Sequence, residues 1–388
     1  MKLLFVHAHF DDYEFTAAGT FELWRRQHPG TELDVLICTD GAAGHHALSR
    51  EATAARRFRE QATAAEQGGF RFHALKGADG QPFREARLHA SPGFLPALWN
   101  EIRRLEPDYL FCPPIPADPL AGVHVDHLDV AQAVRSVAYL INVPHAYTPE
   151  YPQADGEPRF IKTPVIINTF DGYLMAGSPP DLAVDITPVA DHVADLAWCH
   201  ESQLREWLPW VDRHGMQADS DVEGWRRQFR TLMARRMAGL GIRGEQVLEV
   251  FRVTAWGTVP TLDQLRRDFP ALEPRASRFE TLGARLREWS GEPPAAAVVG
   301  RSRASVPADE DPSGGDASTI RRRLEMVLGG PPGFTTGARA EVLADLLSEF
   351  GRAEIVAAIR REWVVEFDTG PEASASVVKP RAEKPSPK

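Results

Sequence analysis

Cysteine is scarce: Cys38, Cys112 and Cys199 are the only three among 388 residues. An odd number at wide spacing excludes a disulfide framework and the paired spacings of a zinc finger, and leaves reduced, mostly buried thiols. Long apolar runs are also missing. No stretch approaches the roughly 18 uncharged apolar residues a membrane helix requires, and the "LLFV" run near the N-terminus is too short for a signal peptide before Asp11 and Asp12 intervene. A cytoplasmic protein without membrane insertion is expected. Positive charge is in deficit, with 44 Lys and Arg against 54 Asp and Glu and a formal charge of -10. A general nucleic-acid binder, which needs a basic face, is therefore not expected. What is present is a globular composition, 43% hydrophobic and 25% charged, in a chain long enough for a large core.

The first part of the chain alternates apolar runs with helical patterns. "KLLFVHAH" (2–9), "ELDVLICTD" (32–40), "FRFHALKG" (70–77) and "DYLFCPP" (108–114) are short and rich in aromatic or β-branched residues, as strands buried on both faces should be. Helical patterns at about 14–27, 48–67, 92–105 and 125–140 separate or follow them. Alternation of this kind predicts an α/β fold, a Rossmann-like, doubly wound and mostly parallel sheet with right-handed crossovers. Further strands are expected at 164–170, 182–187 and 249–257, and helices at 188–208 and 222–238. This domain is assigned to residues 1–288. Pro, Gly, Ser and Ala then dominate, giving a flexible linker over 289–318. Three amphipathic patterns, "TIRRRLEMVLGG", "TTGARAEVLADLLSEFG" and "AEIVAAIRREWVVEF", predict a small helical region at 319–368, a candidate surface for a protein partner or self-association. Residues 369–388 read as a disordered tail.

Chemistry concentrates in two short stretches. "HAHFDDYE" (7–14) stands at the C-terminal end of the first strand, where open α/β sheets place their ligands, and "HVDHLDV" (124–130) follows the fourth strand. The bland reading of the first is an Asp N-cap on the next helix. The second stretch shifts the balance, because two strand-end clusters can converge. A catalytic divalent metal needs about three N or O ligands and an open position for water. His9, Asp12 and His127 supply such a set. Asp11 is then free to act as general base and His124 to stabilise or protonate the developing charge, while Asp126 is placed to hold the His124 ring in one tautomer.

These paired motifs resemble the "AHPDDE" and "HPDH" signatures of the LmbE/PIG-L family of metal-dependent N-acetylglucosaminyl deacetylases, over roughly residues 1–257. The resemblance implies Zn²⁺, or another divalent metal such as Fe²⁺, on His9, Asp12 and His127, with Asp11 as base and His124 at the tetrahedral intermediate. It also implies a small N-acyl amino-sugar substrate. Weaker matches make Arg57, in "RRFREQATAAEQGG", and Asp79, in "LKGADG", candidate substrate contacts. Asp40 in "CTDGAAGHH" is a candidate pocket residue, although that loop has no G-x-G-x-x-G pattern. "HESQ" (200–203) resembles a late family motif, read here as a helical hydrogen-bonded clamp. Phe10 and Val125 replace the two family prolines and leave every ligand in place. The expected activity is removal of an acyl group, most simply acetyl, from an amino-sugar nitrogen. Alternatives are an amidase acting on a thiol-sugar conjugate or glycosylated natural product, and a catalytically silent sugar-binding module.

Overall fold

The computed structural model describes residues 1–291, apart from 117, 119, 121, 123, 153–159, 173–179 and 212–215, together with 363–366 and 377–380. The chain divides into two units, Met1–Ala297 and Val298–Lys388. The first unit is built on a seven-stranded sheet. Strands β1 (Lys2–His7), β2 (Glu32–Ile37), β3 (Arg71–Ala74), β4 (Tyr109–Cys112) and β5 (Val165–Asn168) run parallel, and β6 (Leu182–Asp185) and β7 (Leu248–Val253) complete it in the order β3-β2-β1-β4-β5-β7-β6. β7 lies antiparallel between β5 and β6. The sheet is therefore mixed and mostly parallel, an α/β fold.

Each strand side chain alternates between two helix layers, because successive Cβ atoms point to opposite faces. Leu3, Phe5, Val35, Ile37, Phe111 and Ile167 face one core. It is closed by α1 (Asp12–Thr16), α2 (Ala18–Gln27), α6 (Ala190–Trp198) and α8 (Val222–Gly239), through residues such as Phe21, Trp24, Val193 and Phe229. Leu4, Val6, Leu36, Leu110 and Ile166 face the other core, closed by α4 (Phe94–Leu105) and α5 (Val125–Leu140). α3 (Arg50–Gly68) starts on a Ser49 cap, whose side chain accepts from the Ala52 amide, and ends on Gly69 in the left-handed region.

Helix α2 begins inside the protein with no side-chain cap of its own. Glu249 of β7, 2% exposed, accepts instead from the Gly19 amide at 2.9 Å, the Thr20 amide at 2.8 Å and the Thr20 hydroxyl at 2.6 Å. A contact across 230 positions thus does what a local Ser or Asp does elsewhere. Glu249→Leu orphans these buried donors and is expected to lower unfolding stability by about 3 kcal/mol in a urea titration. A loss under about 0.5 kcal/mol would show that water replaces the carboxylate.

The sequence reading needs three corrections. The helix expected at 14–27 is two helices, α1 and α2, broken at Ala17. The helix expected at 188–208 ends as α6 at Trp198 and resumes as a wider π-helical turn, Ser202–Trp207, before the short α7 (Leu208–Val211). In the second unit, Trp363–Glu366, read as the end of a helix, and Val377–Pro380, read as tail, are strands paired antiparallel. Both stretches carry Val-Val pairs that suit a strand as well as an amphipathic helix. The linker and the remaining C-terminal helices lie outside the described residues. Two helices, α9 (Leu262–Asp268) and α10 (Phe279–Trp289), complete the first unit.

Candidate active site

The C-terminal ends of β1, β4 and β5 open on a cavity of about 580 Å³. His7, His9, Asp11, Asp12, Arg57, Glu85, His124, His127 and Asp171 form its polar wall. Both sequence clusters therefore reach the same space, although they are more than a hundred positions apart in the chain. Parallel neighbours β1 and β4 end side by side, so the segments that leave them must meet.

Asp11 occupies the N-cap position of α1, yet its side chain makes no cap hydrogen bond. Its φ of 104° lies in the left-handed region, a strained conformation for a residue with a side chain, of the kind that collects at functional sites. The carboxylate is turned to Arg57, whose Nη2 donates to Asp11 Oδ1 at 3.0 Å and to the Phe10 carbonyl. Burial pushes the Asp11 carboxyl up, to about 6, against the pull of Arg57. Arg57 is 4% exposed, and its guanidinium is engaged with the acid beside it as well as lining the cavity.

Three donors meet next to Asp11. His9 Nδ1 lies 3.1 Å from His127 Nε2 and 3.4 Å from Asp12 Oδ2, and His127 Nε2 lies 3.5 Å from Asp12 Oδ1. A tetrahedral Zn²⁺ with ligand bonds of about 2.0–2.1 Å sets its donors about 3.3 Å apart; the His9–His127 pair has this spacing, and each imidazole has a different oxygen of Asp12 within 3.5 Å. His124 is near enough to His9 and His127 to join such a group. Its ring stacks on that of His127 with centroids 4.5 Å apart, and burial together with His9 and His127 pushes it down to about 3.

Each of the three donors is held from behind. Asp12 Oδ2 accepts from the His9 amide at 2.8 Å and lies 2.5 Å from His7 Nδ1. Burial works to raise Asp12, but His7 and His127 hold it well below the usual carboxylate range. His127 Nδ1 bonds to Asp171. His9 Nε2 lies 3.3 Å from Asp126 Oδ2, and Asp126 is fully buried, with the Ala86 amide donating to both its oxygens. The sequence places Asp126 behind His124; the structure gives it His9 instead. His124 is the residue before α5 and Asp126 lies in the first helical turn, so the two side chains leave the backbone in different directions.

The substrate-contact expectations separate. Asp79 is exposed in the turn after β3, where it accepts from the Gln81 amide, and it is not part of the cavity wall. Asp40 is also absent from the wall; it accepts from the Ala42 and Glu85 amides and so places Glu85, whose Oε1 lies 3.6 Å from His9 Nε2. Phe10 turns away from the cavity into the core, against Phe72 and the face of Gly41. Gly41 has φ +59°, and a Cβ there would stand 2.4 Å from the Phe10 ring. Val125 is the first residue of α5, a position whose amide has no intrahelical partner, so loss of the family proline removes no hydrogen bond.

"HESQ" does form a clamp. Ser202 donates through its amide and hydroxyl to Glu60 at 2.8 and 2.6 Å, and Gln203 donates to the Gly44 carbonyl at 3.1 Å. The π-helical turn that follows brings Trp207 to the cavity wall, backed by a stack through Trp210 and His46. Sequence reasoning missed Asp171, His7 and Trp207. Asp171 could have been found, since "NTFD" closes the fifth strand run; His7 lies in the first motif with no role assigned to it, and no local signal marks Trp207.

A Rossmann-like α/β domain with a His/Asp cluster at its strand ends is thus defined. Residues 4–138 match the family described as PIG-L: GlcNAc-PI de-N-acetylase. Among solved structures, the chain is similar to N,N'-diacetylchitobiose deacetylase from Pyrococcus horikoshii, at 21% identity over 66% of this chain and 84% of that one, with a TM-score of 0.50. It is also similar to a 4-carboxy-2-hydroxymuconate hydratase from Pseudomonas putida (17% identity, 65% and 95% covered, TM-score 0.45). A conserved protein from Thermus thermophilus gives 22% identity, 66% and 95% covered, and a TM-score of 0.45. A comparison with curated proteins finds no match. At these identities the likeness speaks to the fold, and activity has to be argued from the site.

Proposed function

We propose that this protein is a metal-dependent N-deacylase that removes an acyl group, most simply acetyl, from the nitrogen of an amino sugar or a related N-acylated small molecule. The observation that carries the reading is an Asp11 side chain left uncapped beside three metal-spaced donors in one cavity. The PIG-L domain match supports it.

His9, Asp12 and His127 would hold the cation, Zn²⁺ by donor type with Fe²⁺ as the alternative. Bound there, it supplies Lewis-acid polarisation of water and of the amide oxygen. Asp11 takes a proton from the attacking water, whose oxygen adds to the amide carbon. His124 donates a hydrogen bond to the resulting oxyanion. Asp11 then returns its proton to the nitrogen as the C–N bond breaks, leaving a carboxylate and a free amine. Arg57 fixes the carboxylate of Asp11 for both transfers. Trp207 offers a flat apolar face to the C–H side of a sugar ring.

Asp171 is a positioning residue in this scheme, because it sets the His127 ring. Asp171→Asn is expected to weaken Zn²⁺ affinity by about 10–100-fold in a competition titration against a chromophoric chelator. Unchanged affinity would mean that the bond to His127 plays no part in metal binding. The function itself is tested by following amine release from a panel of N-acetylated amino sugars. Release from at least one is expected from protein with stoichiometric metal, and silence across the panel sinks the reading.

A further inference from the structure

Hydrolysis leaves one part of the cavity wall without a task. Arg236, on α8, reaches the cavity more than two hundred positions from the ends of β1. Its guanidinium lies 5.6 Å from the Phe15 ring and 5.4 Å from the Phe170 ring, and Nη1 donates to the Phe15 carbonyl at 2.6 Å. Among the described residues no carboxylate lies within ion-pair distance. The two acids nearest in effect are already engaged, Asp171 on His127 and Glu249 on the start of α2. Burial lowers Arg236 to about 10, against the attraction of those two acids.

A half-buried guanidinium without a counter-ion is held at some cost in free energy, and an anion at that point relieves it. The bond to Phe15 uses Nη1 alone; Nε and Nη2 make no hydrogen bond within the described residues and belong to a side chain that lines the cavity. These two groups form the planar edge that binds an oxyanion with two parallel hydrogen bonds. Arg235 lines the same cavity and adds a second positive charge, while Phe15, Phe170 and Leu232 make the neighbouring surface apolar.

We infer that the substrate of this cavity is an acid, and that Arg236 recognises its carboxylate or phosphate group while the N-acyl end lies against Asp11 and His124. This rests on the deacylase reading for the position of the acyl end, but not for the binding of the acid. An acidic N-acetyl amino sugar meets the requirement, either one bearing a carboxylate substituent or a sugar phosphate. Neutral N-acetylglucosamine would occupy the site without using Arg236.

The test compares binding and turnover for N-acetylglucosamine, N-acetylmuramic acid and N-acetylglucosamine 6-phosphate on the full-length, metal-loaded protein. Titration calorimetry is expected to show at least one acid bound about tenfold or more tighter than the neutral sugar, with the winner identifying carboxylate or phosphate. Arg236→Gln should erase that preference, raising KM for the acid far more than it lowers kcat. Arg236→Lys, which keeps the charge and loses the planar fork, should reduce the preference several-fold, and it decides the matter if the Gln variant does not fold. Equal binding of acid and neutral sugars by the wild type overturns the inference, as does a full preference in either variant. Acid-selective binding without amine release counts against the deacylase reading alone, whereas amine release without acid preference counts against Arg236 alone.

Discussion

Asp11→Asn is expected to lower kcat/KM for amine release by about 10³–10⁴-fold while leaving metal content unchanged. The substitution is nearly isosteric, and Asn tolerates the left-handed backbone that Asp11 adopts at φ 104°, so the turn into α1 should survive. What disappears is the group proposed to take the proton of water and return it to the amine. Arg57 keeps the Phe10 carbonyl as a partner and still anchors the loop. Metal content is the discriminating readout. A variant that loses both activity and metal would move Asp11 from base to ligand; a variant that turns over at the wild-type rate would remove acid–base chemistry from this residue altogether.

Stripping the protein of divalent metal should abolish amine release, and Zn²⁺ or Fe²⁺ should restore it. Stability should follow. A ligand present at about a thousand times its dissociation constant stabilises the folded state by about 4 kcal/mol, which for a unit of this size raises the melting temperature by about 6 °C. The effect is expected here because His9, Asp12 and His127 sit within 3.5 Å of one another with Glu85, Asp126 and Asp171 behind them. A cation tied to separate segments of chain binds the native fold far better than the unfolded one. His127→Ala removes one proposed ligand and should eliminate both the melting shift and the activity. If stripped protein releases amine at the original rate, the cluster is not a catalytic metal site.

How much of the site can be read from sequence depends on how far each partner lies along the chain. His9, Asp11 and Asp12 announce themselves because they follow an apolar strand run within a few residues, and His124 and His127 do so after another such run. Their convergence follows from parallel pairing of β1 and β4, which the βα alternation implies. The partner of Asp126 does not follow, since a small difference in direction at the start of α5 decides between His124 and His9. Asp79 fails for a related reason. Its loop leaves β3, the edge strand, and a surface turn carries it away from the cavity. Val377–Pro380 escapes a sequence reading because four residues rich in valine have no periodicity long enough to separate a strand from an irregular tail.

By itself the sequence determined the α/β class, the two strand-end clusters and the kind of chemistry their donors suit, because strand periodicity, helix caps and ligand types are local properties of a few consecutive residues. Tertiary structure alone decided which carboxylate stands behind which histidine, that Glu249 replaces a cap for α2, that Phe10 turns into the core, and that Trp207 and Arg236 reach the cavity. Those outcomes depend on distances between segments up to two hundred and thirty residues apart, fixed only when both faces of the sheet are packed.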